Sequence, residues 1–107
     1  MFLEIKTHDS QLKFDLFETE DLPLDSIHSP KEGVKIRYEG TMVVPTIRFP
    51  ETIFIDLEIE SGHIDEFARW FTEKINGQEI QLKIDSEEVK INPADIEDAL
   101  KKKIIVG

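Results

Sequence analysis

Cysteine is absent from the 107-residue chain. That single absence removes disulfides, thiolate nucleophiles and cysteine-based zinc or iron–sulfur ligation. A domain of this length can be held by burial alone, and a cysteine-free chain suits a reducing compartment. Long apolar runs are also missing. The longest, such as Ile53-Phe54-Ile55 and Ile104-Ile105-Val106, are three residues, against roughly 20 for a membrane-spanning helix. Met1-Phe2-Leu3-Glu4-Ile5-Lys6 shows no basic n-region and no h-region, so no signal peptide, no membrane partner and a cytoplasmic location are expected. With five glycines, the chain has no Gly-rich phosphate loop. It also has no His-Glu-x-x-His pair, EF-hand loop or Gly-x-Ser-x-Gly elbow.

Positive charge is scarce: 13 Lys and Arg stand against 23 Asp and Glu, a formal net charge of −10. The imbalance is unevenly placed. Residues 51–66 hold Glu51, Asp56, Glu58, Glu60, Asp65 and Glu66 without a Lys or Arg, and residues 18–25 hold Glu18, Glu20, Asp21 and Asp25 likewise. Residues 34–50 carry Lys35, Arg37 and Arg48 against Glu39 alone. Nucleic-acid backbones and anionic membranes are repelled by such a surface, whereas a basic protein surface or a cation is attracted. The plainer account of the same charge is solubility.

What is present is a regular supply of aliphatics. The hydrophobic fraction of 39% and charged fraction of 34% fit a folded domain and not a disordered chain. Ile53, Ile55, Leu57 and Ile59 alternate with Phe54, Asp56, Glu58 and Glu60, the period of a half-buried strand over 52–60. Weaker strands are expected at Phe2–Thr7, at Leu12–Phe17 across a His8-Asp9-Ser10 turn, and at Val34–Tyr38. Gly40 then interrupts before Thr41–Val44, and Pro45 and Pro50 mark strand edges or ends. Ile64, Phe67, Ala68, Phe71 and Ile75 recur at the helical period, with Ser61 as the expected N-cap and Asn76-Gly77 as the stop. A hairpin follows: Ile80, Leu82 and Ile84, a turn at Asp85-Ser86-Glu87-Glu88, then Val89 and Ile91. Asn92, Pro93 and Asp95 open a second helix as N-cap, N1 and N3, and Ile104-Ile105-Val106 docks on the core or adds a strand. The order predicts one α+β domain over 1–107. An antiparallel sheet of about five to seven strands carries two C-terminal-half helices on its apolar face.

Candidate functional residues follow from charge and exposure. Thr19–Gly33 is the one long connection, offering Glu20, Asp21 and Asp25 around the apolar anchors Leu22, Leu24 and Ile27. It reads as a binding loop or as a cover sealing one end of the sheet. Asp56, Glu58 and Glu60 share one strand face ahead of His63. Carboxylates two residues apart along a strand are about 7 Å apart, too far to wrap a small ion without other ligands. An acidic stripe gripping Lys and Arg of a protein demands less geometry. Phe54 opposes its strand's aliphatic row, and Trp70 flanks the helix stripe, a place for a core edge or an interface anchor. Ser26 and Ser29 flank His28 in sequence without forming a catalytic motif. The expectation is a non-catalytic acidic binding module without cofactor or metal. It would dock a basic protein surface through Glu20, Asp21, Asp25, Asp56, Glu58, Glu60, Phe54 and Trp70. Two alternatives stand beside it: a homodimer formed through an edge strand around Thr41–Phe49 or the Phe54 face, and an enzyme or cation site at Asp56, Glu58, Glu60 and His63.

Overall fold

The computed structural model describes residues 1–44 and 48–105. Its order is β1 (Phe2–Thr7), α1 (Leu12–Phe17), β2 (Ile27–Lys31), β3 (Val34–Val43), β4 (Glu51–Ile59), a 3₁₀ turn (Ser61–His63), α2 (Ile64–Lys74), β5 (Gln81–Ile84), β6 (Glu87–Val89) and α3 (Pro93–Ile105). The six strands form one sheet in the order β2-β3-β4-β1-β5-β6, and every pairing is antiparallel. This is the expected α+β class.

The alternation along β4 organises the molecule. Ile53, Ile55 and Leu57 are buried, as are Leu3 and Ile5 of β1, Val34, Ile36 and Tyr38 of β3, and Leu82 and Ile84 of β5. They join Phe67, Phe71, Ile96 and Leu100 of the helices in one apolar cluster. Burying each such side chain contributes about 1.5–3 kcal/mol. Leu3 and Ile5, flanked on both sides by β4 and β5, are sealed at 1% and 0% exposure.

Helix α2 matches the sequence stripe, with Ile64, Phe67, Ala68 and Phe71 inward and Ile75 buried just beyond it. Gly77 at φ +80° supplies the left-handed stop. Ser61 does not cap the helix: it lies in the 3₁₀ turn, where the His63 N–H donates to the Glu60 carbonyl. At α3 the Asp95 N–H donates to Asn92 Oδ1 at 2.8 Å, the cap expected of Asn-Pro. The helix continues through Ile104, which packs against the core as part of the helix and not as a strand. Val106 and the strand-marking Pro45 lie outside the described residues.

Four local expectations are corrected. Leu12–Phe17 is a helix, not a strand: Leu12, Leu16 and Phe17 are its buried residues, an i, i+4, i+5 set that six residues of sequence barely distinguish from alternation. His8-Asp9-Ser10 therefore joins a strand to a helix and closes no hairpin. Asp9 Oδ1 accepts from the Gln11 N–H at 2.9 Å, a local bond that starts the helical turn. The long connection contains β2, whose Pro30 is tolerated on an edge strand; of its supposed anchors, Leu22 packs on the core, while Leu24 and Ile27 are exposed. Gly40 does not end a strand. Tyr38 pairs with Ile55 and Gly40 with Phe54, so Glu39 is the extra residue of a bulge inside a continuous β3. Finally, the β5–β6 turn is two residues long. Asp85 and Ser86 have φ of 48° and 73°, the double left-handed geometry that matches strand twist in a tight hairpin, and Glu87 and Glu88 belong to β6.

Two stability predictions follow from the backbone. A Cβ on Gly33, at φ +76°, would sit 2.3 Å from His63 Cδ2. Gly33→Ala is therefore expected to lower unfolding free energy by about 2–4 kcal/mol, from left-handed strain plus the clash. Adding His63→Ala recovers the clash part; urea denaturation of the single and double variants checks both. Ser86→Gly removes the left-handed cost of a side chain and is expected to raise stability by about 0.5–1 kcal/mol in the same assay.

Candidate functional site

Of the acids expected to form a free stripe on β4, Asp56 is paired within the chain. Asp56 Oδ2 lies 3.1 Å from Arg37 Nη2, and its other oxygen is 3.3 Å from the Met1 ammonium. Arg37 also donates through Nε to Glu39 at 2.7 Å. The hydrogen bond to Glu39 and its charge, then the charges of Asp56 and Asp25, raise the guanidinium above its ordinary value. Glu58 stands opposite Lys35 in the β3–β4 register. Glu60 lies past the strand end, 3.8 Å from His63 Nε2, and Glu66 is 3.4 Å from His63 Nδ1. Among the described residues no three His, Asp or Glu side chains converge as a metal site.

The remaining sequence candidates are dispersed. Phe54 is half-buried on the open face of the sheet, stacked on Phe2 at 5.7 Å. Trp70 is 7% exposed and packs on Phe67 at 5.8 Å, so it is a core residue with little surface to offer. Asp25 sits in the turn before β2 with φ 68°, its N–H donating to the Tyr38 carbonyl. Asp21 is exposed in the loop, its N–H bonded to Thr19 Oγ1. Ser26 and Ser29 have their hydroxyls on backbone carbonyls of Pro23, Lys31 and Val34, and neither is bonded to His28. The Thr41–Phe49 edge proposed from sequence includes residues 45–47, which lie outside the described residues; Thr41–Val43 pairs with β4.

Glu20 enters the most spacious concavity among the described residues. An open groove of about 880 Å³ runs between α1, the chain leaving it and the C-terminal end of α2, lined by Gln11, Phe14, Asp15, Glu18, Thr19, Glu20, Glu73 and Lys74. Glu18 caps α1 in the left-handed conformation, its N–H donating to the Phe14 carbonyl. Its carboxylate lies 3.2 Å from Lys74 Nζ. His28 Nε2 is 3.3 Å away on the other side, in ion-pair range but without hydrogen-bond alignment. Asp15, Glu20 and Glu73 have no cation within ion-pair distance among the described residues. Phe14 is half-buried, with Lys13 Nζ 5.4 Å from its ring centroid. Lys13 in turn holds Glu51 at 2.9 Å, a pair whose side chains are only 19% and 12% exposed.

Sequence reading missed Asp15, Glu18 and Glu73 as a group. Reading Leu12–Phe17 as a strand sent Asp15 away from Glu18, whereas one helical turn brings positions three apart together. Glu73 reaches the groove only through the packing of α2 beside α1.

No known protein family matches the chain, and neither the curated proteins nor the solved structures hold a match to it.

The Lys13–Glu51 pair ties α1, which borders the groove, to β4. Lys13→Ala leaves a largely buried carboxylate without its cation and is expected to cost about 1–3 kcal/mol. The Lys13→Ala/Glu51→Ala chain should regain a good part of that. Thermal melts of the two variants make the comparison.

Proposed function

We propose that this chain is a non-catalytic binding module that docks a basic segment of another protein in the groove between α1 and α2. The observation that carries the reading is the coincidence, in one concave site, of three carboxylates without an internal cation and a partly exposed phenyl ring. Lysine and arginine suit such a place: the head group meets Asp15, Glu20 or Glu73, and the alkyl stem or guanidinium plane lies on Phe14. The β4 acids serve this role less well, because Arg37 already pairs with Asp56 and Glu58 has Lys35 as its cross-strand neighbour. The formal charge of −10 adds long-range attraction, which speeds encounter with a cationic partner and makes association salt-sensitive.

A short oligo-arginine peptide titrated into isotopically labelled protein tests this. Amide shifts should concentrate at Gln11, Phe14–Glu20 and Glu73–Lys74, and affinity should fall as salt rises. Glu20→Lys combined with Glu73→Lys should weaken binding by about tenfold or more. Shifts spread evenly over every acidic surface, or an unaltered affinity in the double variant, would sink the groove as the docking site.

A further inference from the structure

The face of the sheet opposite the helices combines interleaved charges of both signs with exposed apolar side chains. Strand register places four cations on it, Lys6, Lys35, Arg37 and Lys83, and four acids, Glu4, Asp56, Glu58 and Glu88. Glu39 joins them through its bond from Arg37, and Asp85 through its backbone and side-chain bonds with Phe2. Four cations against six acids leave −2 here, on a chain of −10. Four of the large exposed apolar side chains, Phe2, Leu24, Ile27 and Met42, lie there as well. Ile27 lies opposite Arg37 in β2, Met42 opposite Thr52 in β3, and Phe2 stacks on Phe54 at the centre. Leu24 reaches over Gly40, where no side chain stands between it and the sheet. Ile27 is 67% and Met42 52% exposed.

We infer that this open sheet face is the contact between two copies of the chain, packed sheet on sheet about a two-fold axis. Two bodies of −10 repel each other on approach, and a face close to charge balance offers a second copy little of that repulsion. The face is also self-complementary. An axis along the seam between β4 and β1 lays β3 over the partner subunit's β5. Arg37 then turns toward the partner subunit's Asp85, and Glu39 toward the partner subunit's Lys83. Six strands at about 4.8 Å spacing make the face roughly 24 Å wide, a footprint of the order used by two stacked sheets. An aromatic pair at the centre and ion pairs around it have the anatomy of an interface. This surface is separate from the acidic groove and does not depend on it.

Sedimentation equilibrium of the whole chain across a wide concentration range tests the inference. A monomer–dimer equilibrium is expected, strengthened by added salt because screening removes repulsion between the two acidic bodies. Salt acts in the opposite sense on docking of a basic segment, so the two proposals fail separately. Met42 and Val43 are adjacent, comparably exposed and on opposite faces of β3. Met42→Glu should weaken the dimer about three- to tenfold, and Val43→Glu, with the same charge change, should weaken it markedly less. Glu39→Lys and Lys83→Glu should each weaken it, and the chain carrying both should return to within about threefold of the parent. A monomer at all concentrations overturns the inference. So does equal weakening by Met42→Glu and Val43→Glu, or a double charge swap no better than its singles. Circular dichroism of each variant confirms that the fold is kept.

Discussion

The two-residue alternation of β4 is the constraint from which the rest of the structure follows. With Ile53, Ile55 and Leu57 on one side and Thr52, Phe54, Asp56 and Glu58 on the other, every helix must lie on the aliphatic side. A slip of one residue in register would turn the whole aliphatic set into water. The same alternation lines the charges of the opposite face into rows that cross the strands: Arg37 beside Asp56, Lys35 beside Glu58, Glu4 beside Lys83. A segment that in sequence is purely acidic thus becomes, in the sheet, part of a balanced surface.

Net charge and local field are for this reason different quantities here. The chain's negative excess is real, but strand pairing spends much of it on neighbouring cations. What survives in concentrated form lies where helices and loops meet, around Asp15, Glu20 and Glu73. Cross-strand neighbours are fixed by hydrogen-bond geometry, whereas the ends of α1 and α2 meet without a shared ladder. Unmatched charge is tolerated more easily in the second setting, where water reaches the carboxylates freely.

Much of this was legible from the amino acids, and the illegible parts have physical causes. α2 declared itself through a stripe from Ile64 to Ile75, long enough for the helical period to separate from alternation. The Asn92-Pro93-Asp95 start of α3 follows from local chemistry alone. By contrast α1 spans fewer than two turns, and Leu12 and Leu16 satisfy either period; Phe14 fits alternation, and only the burial of Phe17 beside Leu16 shows the helix. β2 was hidden because Ile27-His28-Ser29-Pro30-Lys31 has the composition of a loop and is held by its partner strand. The candidate site suffered in proportion. Glu20 was visible through its charge, but its companions come from α1 and α2, and the pairing of Asp56 with Arg37 depends on the register of β3 against β4.

The position of β1 has a consequence for how the chain comes together. The strand made of residues 2–7 lies in the interior of the sheet, between partners at 51–56 and 81–84. On a ribosome it emerges ahead of both partners and finds the second only after residues 81–84 have been made. Closing those distant pairings carries a loop-entropy cost that local helix formation does not, so folding is governed by late, long-range steps. Until then Leu3 and Ile5 face water on a nascent polypeptide. That interval is when the chain is most open to capture by a chaperone or to misassembly with its own kind.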